Sequence, residues 1–149
     1  MTSGSSKTEQ VKALQWLDNR LRLLDQTLLP ACVRFVELRR WTEVVSAITS
    51  MRVRGAPAIG LAGAYAVALA AQEFKDLPFP VFNAKLGKAA SEISNARPTA
   101  VNLSWAVSSV MKASQTGSNA EQVAKILISE AKDLEDTELR ANRAIGEEG

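Results

Sequence analysis

Arg54–Ala71 reads RGAPAIGLAGAYAVALAA, and from Pro57 onward nearly every side chain is apolar and small. No polar face is left for water, so the pattern predicts a helix buried on all sides. The run is shorter than the roughly 20 residues needed to cross a bilayer, which argues against a membrane span. Its opening is a second signal. Arg54 carries a permanent charge and a fork of donors suited to phosphate, and Gly55 permits a sharp turn and close backbone approach. Pro57 suits the first helical position because it needs no N–H there. The N–H groups of Ala58 and Ile59 would then be free at the positive end of the helix, a place where phosphates bind readily. A plain loop-to-helix junction with one surface arginine is the competing reading.

A similar arrangement recurs at Arg97–Leu103, RPTAVNL. Pro98 can start a helix and disfavours helical backbone at Arg97, which puts Arg97 at the helix entrance. Two arginines at two helix mouths could converge on one phosphate, although spacing alone does not say that they meet. Asn102 falls one turn beyond Pro98 and could face that mouth or bond nearby backbone. Thr99 could serve a ligand or simply cap the helix. Arg52 reads as surface, and Trp16, Trp41 and Trp105 read as packing residues. Asp18, Asp25 and Asp76 show no paired-carboxylate spacing suited to acid–base work.

On the amino-terminal side, Leu14–Asp18 and Leu21–Asp25 flank Asn19-Arg20 and suit a two-stranded hairpin. One amphipathic helix over Val11–Leu24 is the alternative. Cys32–Leu38 reads as a third strand, with Arg34, Val36 and Leu38 on one face. From Trp41 the period becomes helical: Thr42 is the candidate cap, followed by Val44, Val45, Ile48 and Met51. Beyond the central helix, Pro78 and Pro80 mark a loop. Phe82, Leu86, Ala89 and Ile93 then define a helix over Val81–Asn95. A fourth helix runs from Pro98 through Leu103, Val107, Val110 and Met111. Ser118 or Asn119 caps a fifth, whose core face is Val123, Ile126, Leu127, Ala131, Leu134 and Leu139. Gly146 and Gly149 stand where that helix should stop. The predicted fold class is α+β, a small three-stranded antiparallel sheet followed by a bundle of about five helices.

Composition narrows the chemistry. The chain has 149 residues, 46% hydrophobic and 23% charged, with a net charge of +2, ordinary for a globular domain. The small, interspersed charge argues against nucleic acid. With no histidine, a serine–histidine triad and histidine-ligated metal are excluded within the chain. The single cysteine, Cys32, forbids an intrachain disulfide or a cysteine-clustered metal site and reads as a small core residue. Residues 1–12 are polar and read as a disordered extension without a signal-peptide core. A cytoplasmic location fits this cysteine usage.

Taken together, Met51–Gly60 (MRVRGAPAIG), Arg97–Leu103 and Leu23–Pro30 (LLDQTLLP) resemble the amino-terminal part of methylthioribose-1-phosphate isomerase. That family is related to the regulatory subunits of translation initiation factor 2B. Asn142–Gly149 resembles the segment leading into the family's second domain. The resemblance implies that residues 13–149 form the amino-terminal domain of a longer isomerase of methionine salvage, which converts an aldose 1-phosphate to a ketose 1-phosphate. It implies substrate contacts at Arg54, Gly55, Ala56 and Arg97, no organic cofactor or metal, and a full-length homodimer. The family's catalytic cysteine and aspartate belong to its later domain. No catalytic residue is therefore assigned here, and the chain alone is expected to be inactive. A non-catalytic regulatory subunit and a free-standing phosphate-binding module are the alternatives.

Overall fold

The computed structural model describes residues 13–148, with side chains as far as Glu138. The predicted extension over 1–12 lies outside the described residues, as does the Leu139 side chain. Three strands, β1 (Leu14–Leu17), β2 (Arg20–Leu24) and β3 (Phe35–Leu38), precede five helices. These are α1 (Trp41–Thr49), α2 (Ala56–Phe74), α3 (Phe79–Ser94), α4 (Val101–Ser114) and α5 (Ala120–Glu148). The architecture is the α+β arrangement expected from the sequence, and the single helix over Val11–Leu24 is excluded.

The sheet is an antiparallel meander in the order β1-β2-β3. Trp16 pairs with Leu21, and Leu21 with Leu38, so one face gathers Leu14, Leu21, Leu23 and Leu38 into the core. The hairpin turns on Asp18-Asn19, one residue earlier than predicted, and both have positive φ (47° and 67°). A two-residue turn that matches strand twist needs left-handed backbone at both centres, which Asp and Asn tolerate better than Arg20. On the outer face Arg20 pairs with Glu37 at 2.8 Å, and the Arg22 guanidinium lies 4.3 Å over the Phe35 ring.

β3 starts at Phe35 rather than Cys32, which leaves Cys32 exposed instead of in the core. Residues 32–34 run over the surface after a short 3-10 turn (Gln26–Leu28), and the Cys32 N–H closes onto Leu28 O at 2.9 Å. α1 opens at Trp41, so Thr42 lies inside the helix and is not its cap. The Glu43 carboxylate accepts instead from the N–H groups of Arg39 and Arg40, at 2.8 and 3.1 Å. Met51 lies beyond the helix, exposed, with φ 65°. Pro80 belongs to the first turn of α3 rather than to the preceding loop. At the other end of the chain α5 continues through Gly146 to Glu148, so Gly146 does not end it. An isolated glycine lowers helix propensity by only about 1 kcal/mol.

α2 is the centre of the molecule. It packs against α1, α3, α4, α5 and β1, and twelve of its nineteen residues are buried. This matches the all-round apolar pattern of its sequence. The α3 face of Phe82, Leu86, Ala89 and Ile93 is buried as predicted, as are Leu103, Val107 and Val110 of α4 and Val123, Leu127 and Ala131 of α5. No described helix is long and apolar enough to cross a membrane.

Small residues set the spacing of the α2–α4 seam. A β-carbon built on Gly60 would meet Asn102 O at 3.1 Å, and one on Gly63 would run into Leu103 Cδ1 and approach Val107 Cγ2 at 3.3 Å. Advancing along α2 from Gly60 to Gly63 moves the contact forward along α4, from Asn102 and Ala106 to Leu103 and Val107. The two helices therefore run side by side in the same direction. Short connections through α3 make that geometry natural, since α3 returns between them, and α5 then runs back beside both.

Candidate functional site

Because α2 and α4 are parallel, their amino termini lie at one end of the molecule. Two peptide dipoles point their positive ends there. Neither helix has an acidic residue in its first turn, whereas α1 carries Glu43 and α5 carries Glu121 at the corresponding place. Nor does a side chain cap α2 or α4. Both mouths, like that of α3, thus lack a side-chain partner for their first N–H groups, whereas Glu43 reaches back at the start of α1 and Asn119 accepts from Gln122 N–H at the start of α5.

The α2 mouth is held from below. Gly55 is its N-cap with φ 90°, a conformation that L side chains rarely adopt, and Ala56 is the first helical residue. Pro57 sits second rather than first. The Ile59 N–H closes onto Gly55 O at 2.9 Å, so Ile59 is not free as expected; the N–H groups at the mouth are those of Ala56 and Ala58. Val53, only 3% exposed, anchors the preceding loop, and Gln26 N–H donates to Arg52 O at 3.0 Å. Between these fixed points and Gly55, the Arg54 side chain is exposed.

Asp25 ties that loop to the sheet. Its carboxylate accepts from the Thr27 hydroxyl and from the Thr27 N–H (3.0 Å), and lies 3.7 Å from Arg52 Nε. The Thr27 hydroxyl bond, against some desolvation, holds its carboxyl below the usual value, with the Thr27 amide and Arg52 acting in the same direction. Sequence reasoning missed this support for Arg54. The signal was present as Asp-x-Thr, a pattern by which an aspartate bonds backbone two residues on.

The α4 mouth is built differently. Pro98 does not start the helix, which begins at Val101 with Ala100 as N-cap. Arg97-Pro98-Thr99-Ala100 forms a turn closed by Ala100 N–H to Arg97 O at 2.9 Å, with proline where a turn prefers it. Ala100 has extended backbone (φ −86°, ψ 93°), which separates this turn from the first turn of α4. Arg97 is half-buried. Arg20, Arg40 and Arg52 are each paired with a carboxylate, but among the described residues Arg54 and Arg97 have none.

Immediately inside the two mouths lies an open cleft of about 180 Å³. Its walls are Ala56, Pro57, Gly60 and Leu61 from α2, Asn102, Trp105 and Ala106 from α4, and Leu134 and Glu138 from α5. Of the four sequence candidates, Ala56 lines this cleft, while Arg54, Gly55 and Arg97 belong to the segments leading into it. Asn102 lines the cleft from the second position of α4. Thr99 is exposed in the turn before it. Trp105 is not a packing residue, for it stands 60% exposed and Val101, one turn earlier, 77%. Trp16 and Trp41 do pack against the core. Among the described residues no cluster of histidine, cysteine or carboxylate side chains could hold a metal ion.

A second polar constellation lies on the sheet side of α2. Trp16 stacks on Tyr65 with ring centroids 5.2 Å apart and planes 12° apart. The Tyr65 hydroxyl, fully buried, donates to a Glu135 carboxylate oxygen. Burial pushes the Tyr65 phenol well above its usual value, and Glu135 adds to the effect. Tyr65 is therefore a fixed neutral donor.

By fold and site the molecule is an α+β domain in which a short antiparallel meander and a helical array present two parallel, acid-free helix mouths. The initiation factor 2 subunit family matches residues 52–149, and the chain belongs to that family. It is 42% identical over 141 residues to methylthioribose-1-phosphate isomerase from Acetivibrio thermocellus, covering 93% of this chain and 41% of that protein. The corresponding isomerase of Crocosphaera subtropica is 40% identical over 132 residues, covering 88% and 38%. Among solved structures, 5-methylthioribose 1-phosphate isomerase from Pyrococcus horikoshii superposes with a TM-score of 0.80 at 30% identity, covering 85% of this chain and 36% of that one. A translation initiation factor eIF-2B delta subunit from A. fulgidus gives 0.82 at 36% identity, covering 87% and 38%. The chain spans about two-fifths of the length of the curated relatives it matches.

Proposed function

We propose that this chain is the amino-terminal domain of a methylthioribose-1-phosphate isomerase and forms the phosphate-holding side of its substrate site. Arg54, Gly55, Ala56 and Arg97 are the substrate-contacting residues in this reading. The observation that carries it is the parallel α2–α4 seam, which puts two arginine-bearing, carboxylate-free helix mouths at one end of a chain so similar to these isomerases. A doubly charged phosphate there would gain charge-assisted bonds from both guanidinium groups and from the mouth N–H groups. Holding the phosphate fixes carbons 1 and 2 of the sugar against the groups that move the proton, a contribution of positioning rather than of chemistry. Those groups lie outside this chain, so the domain alone is inactive. The same reading makes the whole protein a cytoplasmic homodimer of methionine salvage that needs no cofactor or metal.

The test is turnover. The whole polypeptide carrying this sequence should convert 5-methylthioribose 1-phosphate to the ketose, measured by proton NMR of the sugar. Absence of turnover in a folded preparation that also binds no phosphate sinks the reading. The likeness to a structure titled as an initiation factor subunit favours one other possibility, a regulatory subunit. Phosphate binding without isomerisation by the whole polypeptide would point there.

A further inference from the structure

Trp105 is the largest side chain of α4, yet it stands mostly in solvent beside the cleft. Large exposed apolar surface next to a cavity commonly marks a contact site. The cleft is lined by Ala56, in the α2 mouth, and by the larger apolar side chains Leu61, Trp105 and Leu134. From Ala56 to Leu61 the helix advances about 7.5 Å, comparable with the length of a five-carbon sugar phosphate. Asn102 and Glu138 supply the polar part of the lining. Asn102 can donate to and accept from sugar hydroxyls, while the Glu138 carboxylate accepts from them and repels phosphate. Arg54 and Arg97 precede the two helices whose first turns line this cleft, while Trp105 lies about one turn further into α4 than Val101 and Asn102.

On the reading given under Proposed function, we propose that Trp105, with Leu61 and Leu134, receives the 5-methylthio group of the substrate and sets preference for a thioether over a hydroxyl at that carbon. Sulfur beside an aromatic ring makes a favourable contact, and the attached methyl gains from leaving water. A 5-hydroxyl placed there loses water without gaining a partner from three apolar side chains. Trp105 is thus a specificity residue, distinct from the arginines that hold the phosphate.

The test uses the whole polypeptide carrying this sequence, with calorimetric titration of 5-methylthioribose 1-phosphate, ribose 1-phosphate and inorganic phosphate. Trp105→Ala should weaken the methylthio sugar on the order of tenfold and the other two by less than about threefold. Trp105→Phe, which keeps an aromatic face, should recover most of the loss. In unmodified protein the Trp105 indole N–H resonance should shift with the methylthio sugar and stay in place with inorganic phosphate. Equal losses for both sugars, or an indole that ignores the methylthio sugar while phosphate binding persists, overturns this inference and leaves the proposed function standing. An indole resonance that moves with protein concentration alone assigns the patch to a second copy and also overturns it. If none of the three ligands binds, both readings fall together.

Discussion

Trp16 and Trp105 lie on two sides of the same helical core, and their surroundings differ in one respect. Around Trp16 the interactions close on themselves, because the ring stacks on Tyr65 and the Tyr65 hydroxyl donates to Glu135. Around Trp105 they are left open. The indole faces solvent, Arg54 and Arg97 have no carboxylate partner among the described residues, and two helix mouths go uncapped. Polar groups satisfied within the fold are explained by stability. On the proposed function, the cations, dipoles and aromatic face left without partners at the other end serve a ligand. α5 separates the two regions within a single turn, as Leu134 and Glu138 line the cleft while Glu135 meets Tyr65.

The largest effect should come from the seam that positions both regions. Gly63→Val places branched carbon where Leu103 and Val107 already sit, both fully or nearly fully buried. Overpacking of this kind should lower stability by about 3 kcal/mol in urea unfolding. A change within experimental error would mean that the α2–α4 spacing is soft, and the shared-mouth argument would weaken with it. Next is the open end. Arg97→Ala should cost about 1.5–3 kcal/mol of phosphate affinity, roughly tenfold or more, with little change in unfolding midpoint. A stability loss with unaltered phosphate binding would put Arg97 in the same category as the paired arginines.

The closed end should give the smallest and opposite pattern. Tyr65→Phe should cost about 1 kcal/mol of stability and leave phosphate affinity alone. Its pH dependence has a definite sign. Folding raises the Tyr65 pKa above the ordinary 10.0, so the unfolded chain ionises first and stability falls as pH rises past that value. The phenylalanine variant should lack this alkaline slope. If both proteins lose stability in parallel above pH 10, the buried phenol is not its source.

Much of this division could be read in the chain. The small apolar run of α2 had only one sensible placement, inside, and the hairpin followed from Leu14–Leu24 because apolar residues alternated around turn formers. Arg54-Gly55 was legible for a similarly local reason, since left-handed backbone ahead of a helix calls for glycine. Arg97 was read one turn too close to its helix. Proline is compatible with a turn and with a first helical residue, and only the extended backbone at Ala100 chose between them. The same limit applied to Thr42, which could cap a helix but was displaced by Glu43 reaching back to two N–H groups.

Local stereochemistry and hydrophobic period determined which residues fold into helix or strand and which of them shun water, because those preferences act within a few neighbouring positions. Burial of Cys32 and Trp105 was misjudged by the same logic, as an apolar side chain does not announce whether another element will cover it. Tertiary structure alone decided that α2 and α4 run parallel and that Asp25 braces the Arg54 loop. It also decided that a cleft opens beside Trp105. Each depends on residues far apart in the chain meeting through packing, and distance along a polypeptide carries no direct record of distance in space.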